Sequence, residues 1–320
     1  NKPKPPASAK SLEEFYRKKF ARPTFLIPLI FLSGIAFGQT DDFNDGNDSG
    51  WTRQDSIGIL LSSPFASYSF PDGGYRITAG DSPMPSLIGP SRAASFRQDV
   101  SYNSRLFLSV DLKINNPLIQ QSAGFLAFVQ PNPQPGAVSG YSLSYQPLTG
   151  DIVLNRLVGE VPTRLAYADL EGLATASVRL ILIGENGAFT AVLYNLSDLV
   201  NPIARLTASD STFTVGTAGV FAFSDTDDAS GPIDVVFDNY RANAITLPEL
   251  TLTLQGETGF QLTWPDWAVH FSPSSSTTLA PEPWEPISIT ELQSGGGLLF
   301  HTGDRTLAPK KFFRLERRPY

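Results

Sequence analysis

The chain has 320 residues, 41% of them apolar and 17% charged, with 26 Gly, 26 Pro, 22 Phe, two His, one Met and no Cys. That much apolar material can bury a sizeable core, which excludes a disordered or collagen-like chain. Without cysteine there are no disulfides, thiol nucleophiles or thiolate zinc sites, and with His270 and His301 as the sole imidazoles a multi-histidine metal centre or histidine-based triad is hard to assemble.

Residues 1–22 carry seven basic side chains against Glu13 and Glu14. An apolar run from Phe25 to Phe37 follows, and Ala36-Phe37-Gly38 precedes Gln39. Basic, apolar and small-residue segments in that order predict a secretory signal over 1–38 and a secreted or cell-envelope protein. A retained anchor is the alternative, but the run is short and broken by Pro28. No later stretch approaches membrane length, so no membrane span is expected in the mature protein. Beyond residue 38 there are 17 basic and 29 acidic side chains, a net charge of −12. Such a surface repels phosphate backbones, and nucleic acid is not an expected partner. The late bases Arg305, Lys310, Lys311, Arg314, Arg317 and Arg318 read as a solvated strand edge.

Over 105–114, Leu106, Leu108, Val110, Leu112 and Ile114 alternate with other residues, the period of a strand with one buried face. Comparable runs cover 56–62, 74–79, 123–130, 140–146, 151–158, 176–183, 188–194, 215–223 and 233–241. Asp72-Gly73, the Pro131 to Gly136 tract and Asn186-Gly187 supply turn chemistry between them, the last as a hairpin. Outside the leader no long helical period occurs. An all-β sandwich of two antiparallel sheets is predicted for 39–245. Composition shifts at 244–249, and five or six further strands beyond predict a small all-β C-terminal module over 246–320.

Asp41-Asp-Phe-Asn-Asp-Gly46 with Trp51, Gly140-Tyr-Ser-Leu-Ser-Tyr145, Gly150-Asp-Ile-Val-Leu-Asn-Arg156, Gly219-Val-Phe-Ala-Phe223 and Phe237-Asp-Asn-Tyr-Arg241 follow one another in order. In that pattern the chain resembles the concanavalin A-like jelly roll of laminin-G-type modules, legume lectins and bacterial β-glucanases, over about residues 41–245. Residues 249–320, with Leu-Thr-Trp264-Pro, a Ser-rich turn, Trp284 and Phe312-Phe-Arg-Leu315, resemble a short C-terminal module of exported bacterial proteins.

The glucanases of that superfamily set their carboxylates on one strand as Glu-x-Asp-x-Glu, which holds nucleophile and acid about 5 Å apart. This chain has no such triplet; Asp111 and Asp151 stand alone, with Asp111 out of phase with its strand's apolar face. A Gly-x-Ser-x-Gly elbow is absent too. The resemblance also implies a structural Ca²⁺ between first and last strands, for which Asp238, Asp42 and Asp45 are the candidate ligands. Turn capping by the acidic loop at 41–48 is the alternative. For a sugar, Tyr141 and Tyr145 share a strand face and Trp267 sits in a turn, so these three are the candidate contacts; core packing is the competing role for the tyrosines. The resulting reading is an exported, non-catalytic carbohydrate-binding or adhesive protein, with a glycoside hydrolase-like enzyme of unrecognised site and a structural envelope component as alternatives.

Overall fold

The computed structural model describes residues 38–170, 177–199, 201–226, 230–245, 248–256, 259–265, 268, 271–278, 284–287, 293–295, 298–304 and 311–317. The signal-like leader and Trp267 lie outside the described residues.

The predicted alternation resolves into two antiparallel sheets. Sheet A runs β13 (Ala204–Ser209), β12 (Ala188–Asn195), β11 (Ser177–Glu185), β6 (Arg105–Ile114), β15 (Ile233–Asn243), β4 (Tyr75–Ala79) and β3 (Ala66–Ser69), and β1 (Gln39–Asp41) also pairs with β15. Sheet B runs β10 (Val161–Ala168), β9 (Asp151–Val158), β8 (Gly140–Gln146), β7 (Gln121–Val129), β14 (Val215–Ser224), β5 (Arg92–Asn103) and β2 (Trp51–Gln54). Leu106, Leu108, Val110 and Leu112 of β6 are fully buried and share one core with Phe125, Tyr141, Leu143 and Tyr145 of sheet B. Full burial of each such side chain stabilises by roughly 1.5–3 kcal/mol. This is the expected all-β sandwich of two antiparallel sheets. Its ends meet, since Gln39, Thr40 and Asp41 face Ala242, Arg241 and Tyr240. Asn186 and Gly187 take positive φ (51° and 82°) and turn β11 into β12, as their sequence predicts.

One predicted strand is instead a helix. Residues 56–62 carry α1 (Ser56–Leu61), because Asp55 caps it: its carboxylate accepts from the N–H of Gly58 at 2.8 Å, and also from Phe65 and Ala66 at 2.6 and 2.9 Å. Ser62 closes the turn in the left-handed region. A second short helix, α2 (Pro85–Ile88), begins on its proline. Strands β1, β2, β3, β5, β10 and β13 have no counterpart among the predicted runs.

The C-terminal residues form separate sheets. One contains β16 (Thr251–Gln255), β17 (Gly259–Pro265), β21 (Leu298–Asp304) and β20 (Gln293–Gly295); the other contains β19 (Glu285–Pro286), β18 (Phe271–Ser276) and β22 (Phe312–Arg317). Phe260, Leu262, Trp264, Ala268 and Phe271 make their core. Leu299 of β21 and Ile245 also pack on Phe107, Ile181, Ile183, Val192 and Tyr194, apolar residues on the outer face of sheet A.

Candidate functional site

Alternation fixes which side chains of sheet B leave the core. Ala218, Val220 and Ala222 of β14 face sheet A, so Phe221 and Phe223 face outward, half-buried, with ring centroids 5.8 Å apart and planes 6° from parallel. The outward rows are otherwise small or apolar. Across the strands run Ala94, Phe221, Gly124, Ser144 and Val153, and next to them Phe96, Gly219, Leu126, Ser142 and Asn155. Gly124 has no room for a side chain, since a Cβ there would lie 1.9 Å from the Leu143 carbonyl oxygen. Gly124 and Gly219, which carry no side chain on these rows, let the sheet bend here.

An ion pair shows the bend. Arg92 lies on β5, level with the start of β9, and Glu160 in the turn after the far end of β9, four strands away, so the two would be well over about 19 Å apart if the sheet were flat. Their side chains nevertheless meet at 3.0 Å. Arg92 also donates to the carbonyls of Ile88 and Pro90 at 2.7 and 3.1 Å, while Glu160 accepts from the N–H of Gly136 at 2.8 Å. The clasp ties the α2 loop and the β7–β8 connection across the sheet's outer face. Beneath it lies a groove of about 410 Å³, within the range of small-molecule sites. Phe221, Phe223, Leu126, Val138, Leu157 and Ala94 supply its apolar lining. Its polar lining consists of the Arg92–Glu160 pair, Gln54 bonded to Ser56 at 3.4 Å, and the cross-strand neighbours Ser142 and Asn155. The last two can meet a ligand's hydroxyl groups.

The tyrosines proposed for sugar contact are not there. Tyr141 and Tyr145 are fully buried, because the odd-numbered positions of β8 face sheet A while Ser142 and Ser144 face out. The Tyr141 hydroxyl donates to Asp210 Oδ1 at 2.7 Å and accepts from the Phe213 N–H at 3.1 Å; burial and this carboxylate push its pKa up to about 12. Asp111 does project from the apolar face, but into a bidentate contact with Arg179 at 2.6 and 2.9 Å.

The proposed calcium ligands do not converge. Asp238 accepts from Lys113 Nζ at 2.7 Å and from the Asn239 N–H at 2.7 Å. Asp42 and Asp45 accept from the N–H groups of Asn44 and Asn47 at 3.2 and 3.1 Å, the bonds of Asx turns, and the Asn44 contacts hold Asp42 below its usual pKa. Both do line a polar cleft of about 530 Å³ beside the first and last strands, but so do Arg97 and Arg241, and Asp238 is not among its lining residues. Among the described residues no three carboxylate or imidazole groups gather as metal ligands. This donor set does not fit Ca²⁺, which needs six to eight oxygens and no competing cation.

Phe221 and Phe223 stand in the fold pattern Gly219-Val-Phe-Ala-Phe223, yet sequence reasoning did not pick them out as contacts. The signal was present: two large aromatics alternate with Val220 and Ala222, so one set had to face away from the core.

No protein-family model and no curated protein matches the chain. Among solved structures, the carbohydrate-binding module CBM66 from Bacillus subtilis is similar at 13% identity and a TM-score of 0.44, over 62% of this chain and 98% of its own. A Bacillus subtilis protein of unknown function with a galectin-like fold aligns at 14% identity and 0.45, over 64% of this chain and 94% of its own. The basic winged bean lectin with Tn-antigen aligns at 9% identity and 0.42, over 66% and 99%. The architecture of this chain rests on its own sheet order and register.

Proposed function

We propose that this protein binds carbohydrate, without catalysis and outside the cytoplasm, in the groove of sheet B. The observation that carries the reading is the near-parallel Phe221–Phe223 pair, half-buried on an outward sheet face beside Ser142 and Asn155. An apolar ring face can stack on the C–H face of a pyranose while adjacent polar groups hold its hydroxyls. Glycoside hydrolysis asks for two carboxylates across the scissile bond. Glu160 is the single carboxylate among the described lining residues, and it is engaged by Arg92 and Gly136. Export is supported by the order of basic, apolar and small residues before Gln39.

Affinity electrophoresis across a polysaccharide panel tests the reading. Retention of at least one glycan is expected, with loss of about tenfold in affinity for Phe221→Ala or Phe223→Ala at an unchanged melting temperature, the size of a lost stacking contact. No retention of any member overturns it.

A further inference from the structure

Resting on that reading, we infer that the groove takes a neutral sugar unit bearing a methyl group, as a 6-deoxy or an O-acetyl substituent, in preference to fully hydroxylated or acidic sugars.

The first argument is a hydrogen-bond account. Of the groove's polar groups, Arg92 and Glu160 satisfy each other, and Gln54 bonds Ser56. Ser142 and Asn155, adjacent across β8 and β9, and the amide oxygen of Gln54 remain as the side-chain groups placed to receive hydroxyls. A hexopyranose with four or five hydroxyls would bring more polar groups into the groove than these three side chains meet. Each buried hydroxyl left without a partner weakens binding. Beside them, Leu126, Val138, Leu157 and the two phenylalanines offer contact surface that a methyl group uses and a hydroxyl does not.

Charge gives the second argument. Glu160 stands 3.0 Å from Arg92, both about one-fifth exposed, so the two charges cancel inside the groove. A uronate or sulfate entering there would have to compete with Glu160 for the guanidinium, in a site whose other walls are apolar. Burying an unpaired charge beside such walls is costly. The groove therefore discriminates against anions although it contains an arginine.

The test is an array of matched pairs, read with the full chain: 6-deoxy glycosides beside their hydroxylated counterparts, an O-acetylated xylan beside the same polymer after mild alkaline deacetylation, and polygalacturonan. The methyl-bearing member of a pair should bind at least about fourfold tighter, the factor for burying one methyl-sized group, and more where the replaced hydroxyl would be stranded. Polygalacturonan should not be retained. Leu157→Asn, at a half-buried lining position, should bring the paired affinities to within about twofold. Glu160→Gln keeps an acceptor for the Gly136 N–H but frees the charge of Arg92, and should gain retention of polygalacturonan that the parent lacks. Equal or tighter binding of the hydroxylated partners, or retention of polygalacturonan by the parent chain, overturns the inference while leaving carbohydrate binding intact. Failure to bind any member overturns the binding reading itself and this inference with it.

Discussion

Asp48 joins three parts of the sandwich edge. Its carboxylate accepts from Arg53 at 2.6 and 3.0 Å and from the Tyr75 hydroxyl at 3.0 Å, and Tyr75 in turn lies in an aromatic cluster with Phe43, Trp51 and Phe70. Burial alone would raise its pKa, but the bonds from Arg53 and Tyr75 outweigh that and hold it below the ordinary 3.8. Asp99, bonded first of all by Arg97, is lowered likewise. A carboxylate whose folded pKa is depressed lends stability that is present above the unfolded value and lost as acid approaches the folded one. The melting temperature should therefore hold level from neutral pH to about pH 5 and fall below about pH 4. Asp48→Asn should melt lower at neutral pH and show a shallower acid limb; parallel limbs for parent and variant would contradict this assignment. At this scale the sequence was partly legible. The phase of Asp111 shows that it leaves the apolar face, but its partner Arg179 lies 68 positions away on a strand whose register no local pattern fixes. The two phenylalanines were hidden for a related reason. Alternation separates the faces of β14 but does not say which one is inside, and intuition sends Phe to the core. The core side is instead filled by Ala218, Val220 and Ala222 against the bulky Phe125, Tyr141 and Tyr145 of neighbouring strands.

Among the elements, α1 is decided by one side chain. Ser56-Ile-Gly-Ile-Leu-Leu61 alternates enough to pass for a strand, yet Asp55 gathers three backbone N–H groups that only a helical turn and a returning strand can present together. Replacing Asp55 with Ala should cost about 1–2 kcal/mol, the range for a lost N-cap, measurable by urea denaturation. A loss well below that would mean the turn is held by its packing instead. Strands with a clean two-residue period and a marked turn, such as β6 and the β11–β12 hairpin, could be read directly. Strand β5, Arg92-Ala-Ala-Ser-Phe-Arg-Gln-Asp-Val-Ser-Tyr-Asn103, could not: it lies between β14 and β2 and draws its stability from pairing on both sides rather than from an apolar stripe.

For the molecule as a whole, the order of strands brings residues near both ends of the sandwich sequence together, with Gln39 opposite Ala242 and the Gln39 side chain bonded to Asp99 at 2.6 Å and by Tyr102 at 2.8 Å. The β-sandwich was legible from period and turns. The contact of the C-terminal strands with sheet A was not, since outward residues such as Phe107, Ile181, Ile183, Val192 and Tyr194 lie among core residues of the same strands and produce continuous apolar runs. With Leu299 and Ile245 these residues form a closed apolar contact. A chain ending after Asn243 would leave that patch uncovered and should self-associate, eluting early in size-exclusion chromatography where the full chain does not. Elution of both at the monomer position would show that the patch tolerates water.

The clasp between Arg92 and Glu160 makes the width of the groove an ionic property. Counter-ions compete for both partners, which are about one-fifth exposed. An uncharged guest would ordinarily be indifferent to electrolyte. Here its hold should slacken as salt is raised from about 0.05 M to about 0.5 M, across which the screening length shrinks to a few ångströms. In Glu160→Gln the same titration with a neutral glycan should be flat.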